Sequence, residues 1–546
     1  MSFLSKSRRF FNIKSTPLRS SERISLLCRG KSISRDELFQ YTNGRFLTRE
    51  KQQRDCRYVK FDVEALCELA ASTGPTISPV REVEKLEGGF SKALRIEKED
   101  GTEVIAKIPC PNAGPATYTT ASEVAVLQYV RDHTNIPVPC VYAWSSDPSN
   151  PVGAEYIIME KATGVQLFKV WDELKETSKL TIIKKLTEWE SELMKINLPA
   201  HGCLYHRQSI SKDDRKTSLP PSIDRSRLYC IGQSCDPSWS FLSESLVSGP
   251  WASLSEFGIA LAKREIRRIS REPKCGHAAS RNGSADDQIA LLEMTVRLIQ
   301  ILGCHADLMP HAKPTLSHTD LHMGNIFVSE NDPSEISAII DWQFTQIAPM
   351  FLQARWPVFL KPPKNYPAGL VQPKLPDNYD ALDKEGKELA DYEFKQVTAA
   401  KAYELRCFLD NQDAYHAMNI PRVYRELFIR CGETWEEGAA PLRACLIEIF
   451  HSWHELGLPG ECPFTFQEGD IHKHEEEFEE YEKWHHAREF AKEYLDTDAD
   501  GWISPELDLA KKQEQNKALF NLFTERMAGK RSREEIRRIW PFPEGL

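Results

Sequence analysis

Helical spacing of apolar residues marks the first part of the chain. In FDVEALCELAASTG, the side chains of Val63, Leu66, Cys67 and Ala70 stand at positions i, i+3, i+4 and i+7, which is the spacing of one face of a helix. A Gly-Pro pair ends the pattern. We therefore predict a helical N-terminal extension over residues 31–76.

The next stretch changes to short apolar runs separated by turn signals. REVEKLEGGFSKALRIEKEDGTEVIAKIP contains a glycine pair and an Asp-Gly turn, and we interpret it as two or three antiparallel strands. TTASEVAVLQYVRDH follows, with Thr and Ser as capping candidates and apolar residues at helical spacing. GAEYIIMEKATG then supplies a further strand and a linker. This order predicts a small sheet-rich lobe over residues 77–162.

The remainder, residues 163–546, is predicted to be mainly helical. Ile289, Leu292, Val296 and Ile299 repeat at i, i+3, i+7 and i+10, as expected of a helix. The proline-rich passage WPVFLKPPKNYPAGLVQPKLPDNYDALD is interpreted as an ordered loop that wraps around the domain. The predicted fold class is therefore α+β, with a small β-rich N-lobe and a large, mainly helical C-lobe.

The composition narrows the class of protein. The chain has 546 residues, of which 41% are hydrophobic and 27% charged, so it can bury large cores. Its formal charge of −10 argues against a nucleic-acid partner held through phosphate contacts. No window approaches the roughly 18 consecutive apolar residues of a membrane span. The fourteen cysteines include no CxxC pair and predict reduced thiols and no zinc site.

The N-terminal segment has the composition of a mitochondrial transit peptide. Five basic residues precede the first acid, Glu22, and serines are frequent. An Arg-rich, Ser-rich, acid-poor and amphipathic segment is typical of such a peptide, whereas a secretory signal needs an unbroken apolar core. We predict a transit peptide over residues 1–30, with a disordered basic tail as the alternative, and hence a mitochondrial location.

The segment LSHTDLHMGNIFV, residues 316–328, allows two kinds of chemistry. His318, Asp320 and His322 could form a metal cluster, or Asp320 and Asn325 could belong to a loop that transfers phosphate. Zinc sites usually add a fourth ligand or an open water position, and no HExxH or CxxC motif accompanies these residues. The phosphate-transfer interpretation is therefore favoured, and His318 is expected to brace the loop through hydrogen bonds.

Phosphoryl transfer requires ATP to be clamped, Mg²⁺ to be held and the acceptor hydroxyl to be aligned. Asp320 is the candidate catalytic residue, because its carboxylate could orient the attacking hydroxyl and accept its proton. Asn325 and Asp341 are the candidate metal ligands, since their oxygens suit Mg²⁺. Asp341 ends the apolar run ISAII, far enough beyond Asp320 for one hairpin to bring both to one cleft.

The candidate ATP-binding residues lie in the sheet-rich lobe. A glycine pair between two strands lets backbone N–H groups approach phosphate. A lysine on the next strand could bind the α- and β-phosphates, held by a glutamate on the following helix. The linker after the last strand could read adenine through its backbone. In that order, these residues are Gly88, Gly89, Lys107, Glu123, Glu160 and Ala162.

The motifs in this region resemble a known family. H-T-D-x-x-x-x-N followed by I-I-D-W resembles the catalytic loop and metal aspartate of the aminoglycoside phosphotransferase and choline kinase-like superfamily, which shares the bilobal protein-kinase-like fold. LEGGFSKAL, EVIAKIPCPNAGPATYTTASEVAVLQYV and IIDWQFTQIAPMFLQARWPVFL resemble fungal phosphotransferase-family proteins, and the likeness runs from about Phe39 to near Trp502. It also implies a mitochondrial location.

The resemblance assigns roles to single positions and also has departures. It implies an ion pair between Lys107 and Glu123, a catalytic base at Asp320 and metal ligands at Asn325 and Asp341. The nucleotide loop lacks a GxGxxG pattern, and Trp-Gln follows the metal aspartate where protein kinases have Phe-Gly. An insertion at about residues 209–282 has no bacterial counterpart, and we expect it to shape the acceptor site.

The sequence therefore predicts a mitochondrial phosphotransferase that uses ATP and Mg²⁺ to phosphorylate a hydroxyl of a small-molecule acceptor. The alternative is a scaffold of the same fold that supports mitochondrial function without transferring phosphate. The sequence leaves the acceptor and the oligomeric state open.

One further motif resembles a calcium-binding loop. DTDADGWISPEL, residues 496–507, places three aspartates and a glycine in the register of an EF-hand. Position twelve of that loop should be a bidentate glutamate, but here it is Leu507, and Glu506 stands one place early. We predict an aspartate turn and no strong calcium site.

Overall fold

The N-terminal part of the chain is built on a seven-stranded sheet. The structure is a computed structural model, and it describes residues 24–239, 248–271, 283–364, 366–527, 529 and 531–545. The elements of the first part are, in chain order, β1 (Ser25–Cys28), β2 (Lys31–Ser32), α1 (Arg35–Phe39), β3 (Arg45–Phe46), α2 (Glu50–Asp55), α3 (Val63–Ala71), β4 (Val80–Glu87), β5 (Ser91–Lys98), β6 (Glu103–Pro109), α4 (Tyr118–His133), β7 (Val141–Ser145) and β8 (Tyr156–Glu160).

The sheet has the strand order β2-β1-β4-β5-β6-β8-β7. Only the pairing of β1 with β4 is parallel, and the other pairings between these described strands are antiparallel. Because side chains alternate along a strand, β6 turns Val104 and Ala106 toward α3 and Ile105 toward α4. Lys107 shares the face of Ile105, which sends its side chain to α4.

The predicted strands and the helix of this lobe are confirmed. The run with the glycine pair forms β4, β5 and β6, and the helix occupies Tyr118–His133. The turn between β5 and β6 uses Gly101 at φ +83°, a conformation that favours glycine.

The predicted N-terminal extension contains three helices, α1 to α3, together with the short strands β2 and β3. Asp62 caps α3, and the four residues of the predicted apolar face are buried there in one core with the sheet. The folded sheet also begins before residue 31, because β1 pairs with β4. Residues 1–23 of the predicted transit peptide lie outside the described residues.

The second part of the chain is mainly helical, as predicted, so the α+β fold class is confirmed. Its first elements are β9 (Val165–Gln166), α5 (Glu176–Met194), β10 (Cys203–His206), β11 (Thr217–Ser218), β12 (Tyr229–Gly232), α6 (Leu254–Arg271), α7 (Ala285–Leu302), β13 (Pro314–Leu316), β14 (Ile326–Val328), β15 (Ile336–Ile339), β16 (Ile347–Pro349) and α8 (Met350–Gln353). The later elements are α9 (Lys384–Asp410), α10 (Gln412–Met418), α11 (Arg422–Gly432), α12 (Thr434–Glu437), α13 (Ala439–His451), α14 (Glu468–Leu495), β17 (Trp502–Ile503), α15 (Leu509–Arg526) and α16 (Arg533–Ile539).

The predicted insertion at about 209–282 divides into two parts in the structure. Its first part contributes β11 and β12 to a three-stranded sheet with β10. Its later described part is α6, which lies in the main helical core: an added Cβ at Gly258 would stand 2.7 Å from Phe428 and 2.9 Å from Ile299. The expected role of the insertion at the acceptor site stays a prediction.

The C-terminal helices return to the start of the chain. β17 pairs antiparallel with β3, and Leu47 is buried in one cluster with Leu495, Phe520 and Phe542. β17 lies in the EF-hand-like segment, where Asp498 Oδ1 accepts the backbone N–H groups of the residues two and four places on. This is the predicted aspartate turn.

Two findings about absences apply to the described residues alone. No group of three or more His, Cys, Asp and Glu side chains among them is arranged to hold a metal ion. No helix in those ranges is long and apolar enough to cross a membrane.

Candidate active site

A buried ion triad joins three elements where the two lobes meet. Lys107 Nζ lies 2.7 Å from Glu123 Oε1 in α4 and 2.7 Å from Asp341 Oδ1, shortly after β15. The side chains of Lys107 and Glu123 are 8% and 4% exposed, whereas that of Asp341 is 43% exposed. The triad is therefore closed on the side of the sheet and open at Asp341.

The charges of the triad depend on one another. Burial alone would lower the pKa of Lys107, but the charges of Asp341 and Glu123 raise it above its usual value. Burial raises the pKa of Glu123 and outweighs the charge of Lys107. Burial would also raise the pKa of Asp341, but there the charge of Lys107 prevails and lowers it. Asp341 is thus an anion at neutral pH.

The backbone presents the Asp341 carboxylate in an unusual conformation. Asp341 has φ +61°, in the left-handed region that aspartate adopts more readily than most side chains. The next residue, Trp342, is 1% exposed, and its Nε1 donates to the carbonyl of Ile339 at 3.1 Å. The buried indole therefore anchors the turn while the carboxylate faces outward, which explains an Asp-Trp pair at this position.

His318 links the Asp320 loop to the residue before Asp341. Its Nε2 donates to the carbonyl of Ile340 at 2.9 Å, and its Nδ1 accepts the backbone N–H of Asp320 at 3.3 Å. Both contacts require the neutral tautomer with the proton on Nε2, and burial lowers the pKa of His318, which favours that neutral form. The expected bracing role of His318 is confirmed.

Asp320 and Asn325 lie at the two ends of a tight loop. The Asp320 carboxylate is 66% exposed, so it is accessible to a ligand. Asn325 is 6% exposed, and its Nδ2 donates to the carbonyl of Asp320 at 3.0 Å, which leaves Oδ1 as its available oxygen. The carbonyl of Asn325 accepts the N–H of Ile340 at 2.9 Å. This bond ties Asn325 to the residue before Asp341.

The residues present fit a magnesium ion. The available oxygen of Asn325 and the ionised, half-exposed carboxylate of Asp341 are hard oxygen donors, the type that Mg²⁺ takes from proteins together with water and phosphate oxygens. The zinc interpretation fits poorly, because both ring nitrogens of His318 are engaged and His322 Nδ1 accepts the N–H of Gly324 at 3.0 Å.

The glycine pair forms the turn between β4 and β5 and is hydrogen-bonded to Arg57. An added Cβ at Gly89 would meet nothing within 4 Å, so the outer side of the turn is open. The carbonyl of Gly89 accepts Arg57 Nε at 3.0 Å. Beyond the turn, the ring of Phe90 packs edge-on against Phe344 at 5.3 Å between centroids. These contacts link Gly88 and Gly89 to the chain that follows Asp341.

Glu160 and Ala162, the two residues expected to contact adenine, differ in the hydrogen bonds of their backbones. The N–H of Glu160 donates to the carbonyl of Cys140 at 2.8 Å, and its side chain accepts the N–H of Cys140 at 3.0 Å. The amide of Glu160 is therefore engaged within the sheet. Ala162 lies in the irregular link between β8 and β9, and it remains the candidate for contact with adenine.

Two arginines at the site were not identified from sequence. Arg57 holds the glycine turn and pairs with Asp500 at 3.3 Å. Arg355 Nη2 donates to the carbonyl of Thr319 at 3.0 Å, next to Asp320. The sequence gives no local signal for the role of Arg57. For Arg355 there is one, because no acidic residue stands between Asp341 and Asp377, so the surrounding segment is positively charged.

Comparisons with known proteins agree with the predicted family. The model of the phosphotransferase enzyme family matches residues 259–352, which include the Asp320 loop and Asp341. The chain is 29% identical over 496 residues to a subtelomeric hrmA-associated cluster protein of Aspergillus fumigatus, covering 84% of this chain and 96% of that protein. It is 25% identical over 491 residues to altered inheritance of mitochondria protein 9, mitochondrial, of Yarrowia lipolytica, covering 82% of each.

The solved structures that are similar include aminoglycoside phosphotransferases. The ternary complex of streptomycin, ATP and APH(2″)-IIa is 13% identical to this chain with a TM-score of 0.35, covering 73% of this chain and 100% of that one. The resemblance to the phosphotransferase family, stated above from the motifs, is confirmed by the family match and the relatives.

Proposed function

We propose that this chain, which resembles the phosphotransferase family in its central segment and mitochondrial fungal proteins over most of its length, transfers a phosphoryl group from ATP to a hydroxyl of a small molecule. The observation that carries the proposal is the triad, in which Lys107 Nζ lies 2.7 Å from both Glu123 and Asp341. A buried lysine held between two carboxylates from different lobes has a clear use in clamping phosphates.

The lysine end of the triad would bind the nucleotide. Lys107 stays charged, because its pKa is raised by Asp341 and Glu123 despite burial, and Glu123 fixes its direction. The open turn at Gly88 and Gly89 would cover the phosphates with backbone N–H groups. Ala162 would offer its backbone to adenine.

The other end of the triad would hold the metal and the acceptor. Asn325 Oδ1 and the Asp341 carboxylate would bind Mg²⁺, which when present neutralises charge on the phosphate oxygens. The exposed carboxylate of Asp320 would accept a hydrogen bond from the acceptor hydroxyl, orient it and take its proton as the oxygen attacks phosphorus. His318 and Asn325 hold the backbone of Asp320 from two sides, so the carboxylate is positioned before the acceptor binds.

The proposed location is mitochondrial. Relatives that the chain matches over most of its length bear the name altered inheritance of mitochondria protein 9, mitochondrial. The basic, Ser-rich and acid-poor segment before Glu22 supports the same location by its composition.

Nucleotide binding by calorimetry tests the proposed site. The full chain is titrated with ATP with and without Mg²⁺, beside Asp341→Asn and Lys107→Ala. We expect Mg²⁺ to strengthen ATP binding in the wild type, Asp341→Asn to abolish that strengthening, and Lys107→Ala to weaken binding in both conditions. A folded wild-type chain that binds no ATP in either condition would contradict the proposal and favour a scaffold without phosphoryl transfer.

A further inference from the structure

The chain after Asp341 runs back along the Asp320 loop. β16 pairs antiparallel with β13, so that Pro349 lies opposite Pro314. The contact continues beyond the strands, because Gln353 Nε2 donates to the carbonyl of Thr315 at 2.6 Å. Arg355 Nη2 donates to the carbonyl of Thr319 at 3.0 Å. The guanidinium of Arg355 is thereby fixed beside the residue that precedes Asp320.

Arg355 has no carboxylate partner among the described residues. The Asp320 carboxylate lies 3.7 Å from His322 Nε2. Arg355 lies near a second cation, because burial and the charge of Arg355 both lower the pKa of Arg425. Arg425 is itself held by the carbonyls of Phe351, Ala354 and Ala417. Among the residues that the structure describes, neither Arg355 nor Arg425 has an ion-pair partner, and the two together form an electropositive corner beside the Asp320 loop.

The backbone of Arg355 is rigid although its side chain is exposed. The hydroxyl of Tyr403, a residue that is 2% exposed, lies 3.3 Å from the carbonyl oxygen of Arg355. The neighbouring Trp356 Nε1 donates to the carbonyl of Ala400 at 3.2 Å. Both contacts fasten this part of the chain to α9. Because the backbone is held and Nη2 already donates to Thr319, the guanidinium is partly ordered before a ligand binds, which reduces the entropy cost of binding.

The sequence around Arg355 is also positively charged. Between Asp341 and Asp377 there are four basic residues and no Asp or Glu, in a chain whose net charge is −10. The basic residues are Arg355, Lys361, Lys364 and Lys374.

We propose that Arg355 binds an anionic group, a phosphate or a carboxylate, on the acceptor whose hydroxyl Asp320 orients. The inference rests on the proposed function and adds the charge of the substrate to it. The guanidinium fork matches both anions in a bidentate geometry, and Arg425 adds to the local potential. A polycationic acceptor such as an amino sugar would meet repulsion at the same corner, so we expect an anionic hydroxyl compound to be the substrate.

Anion binding to the nucleotide-loaded protein tests this inference. The full chain is saturated with Mg²⁺ and the non-hydrolysable analogue AMP-PNP, and is then titrated with inorganic phosphate in one arm and acetate in the other. The variants are Arg355→Gln, Arg355→Lys and, as a control, Arg35→Gln, which removes an exposed arginine paired with Glu64 in another part of the molecule. Chemical denaturation of each variant shows that it is folded.

We expect phosphate, acetate or both to bind the wild type, and Arg355→Gln to weaken that binding at least tenfold. Arg355→Lys should retain part of the affinity, and Arg35→Gln all of it. The anion that binds with the higher affinity, phosphate or acetate, identifies the anionic group on the acceptor. Equal anion affinity in Arg355→Gln, or no binding of either anion to the loaded wild type, would overturn the inference.

The nucleotide affinity separates this inference from the proposed function. Arg355→Gln should bind AMP-PNP as the wild type does. A parallel loss of AMP-PNP binding would show that Arg355 contacts the nucleotide and would overturn the inference, while leaving the phosphotransferase proposal intact. A wild type that binds no AMP-PNP would instead be a failure of the proposed function.

Discussion

Lys107 Nζ is equidistant, at 2.7 Å, from a carboxylate of the N-lobe, Glu123, and from a carboxylate of the C-lobe, Asp341. The two carboxylates differ in surroundings, because Glu123 is 4% exposed and Asp341 43% exposed. The buried partner therefore fixes the lysine, and the open partner remains accessible to a ligand. Substitutions of Glu123 and of Asp341 should therefore have different effects.

Removal of the buried partner should cost both stability and affinity. In Glu123→Ala, Lys107 loses one of two charge partners in a buried site, and we expect the free energy of unfolding to fall by about 3 kcal/mol. ATP affinity should fall at least tenfold, since the lysine is no longer held in place. Urea denaturation and calorimetry measure the two effects. Glu82→Ala is the matched control, because Glu82 pairs with Arg95 at 2.9 Å on the sheet surface and should cost at most about 1 kcal/mol.

Substitution at Asn325 should separate metal binding from the support of Asp320. Asn325→Asp keeps an oxygen ligand but cannot donate to the carbonyl of Asp320, whereas Asn325→Ala loses both functions. We expect Asn325→Asp to bind Mg²⁺ and ATP near the wild-type affinity with a phosphoryl-transfer rate reduced at least tenfold. Asn325→Ala should lose both affinity and rate. Identical behaviour of the two variants would show that an oxygen at position 325 has no role in metal binding, and a wild-type transfer rate in Asn325→Asp would show that the donated hydrogen bond has none.

The glycine turn should depend on Arg57. Arg57 is 5% exposed, its Nε donates to the carbonyl of Gly89, and its Nη2 pairs with Asp500 in the aspartate turn before β17. Arg57→Ala should lower ATP affinity several-fold and destabilise the fold by about 2–4 kcal/mol. Asp500→Asn should have a small effect, because the Asp500 side chain is 51% exposed. An ATP affinity that is unchanged in folded Arg57→Ala would refute the link between Arg57 and the turn.

Glu190 should make the stability of the C-lobe depend on pH. Burial raises the pKa of Glu190 to about 7 from its ordinary 4.5, although the hydroxyl of Tyr403 donates to its carboxyl at 2.7 Å. In the unfolded chain the carboxyl ionises at its ordinary pKa, which favours the unfolded state. The stability that this group contributes is thus fully present below about pH 4.5 and is lost as the pH rises to about 7.

Glu190→Gln should remove this pH dependence, because the amide keeps an oxygen acceptor for Tyr403 and does not ionise. Relative to the wild type, the variant should therefore gain stability as the pH rises from 5 to 8. Urea denaturation at both pH values measures the difference. A difference in the free energy of unfolding that is the same at pH 5 and pH 8 would contradict the assigned pKa.

The sequence predicted the parts of the site that follow from local periodicity. Alternation along β6 places Lys107 on the face toward α4, and helical spacing places Glu123 on that helix. The spacing from Asp320 to Asn325 and the apolar strand before Asp341 likewise indicate positions on a loop and at a strand end. Each of these inferences needs only short-range regularity, and the structure brings these side chains to one region.

The remaining features depend on contacts that are distant in sequence. β1 is four residues long and joins the sheet by pairing with β4, and nothing in its residues specifies that partner. The pairing of Trp502 with Phe46 joins the two ends of the chain without a local signal. The amide of Glu160 was expected to be near adenine, but a hydrogen bond to Cys140 engages it. Such pairings are selected by the packing of the whole lobe.

Phosphoryl transfer by this protein can be measured directly, before its acceptor is known. The full chain is incubated with Mg²⁺, ATP labelled with ¹⁸O in the γ-phosphoryl group and a mitochondrial metabolite extract, and labelled products are detected by mass spectrometry beside Asp320→Asn. We expect a labelled phosphate ester with the wild type and its loss, by a factor of at least 100, with Asp320→Asn, while ATP binding is retained. Equal labelling by both proteins, or none by a wild type that binds ATP and Mg²⁺, would contradict the proposed function.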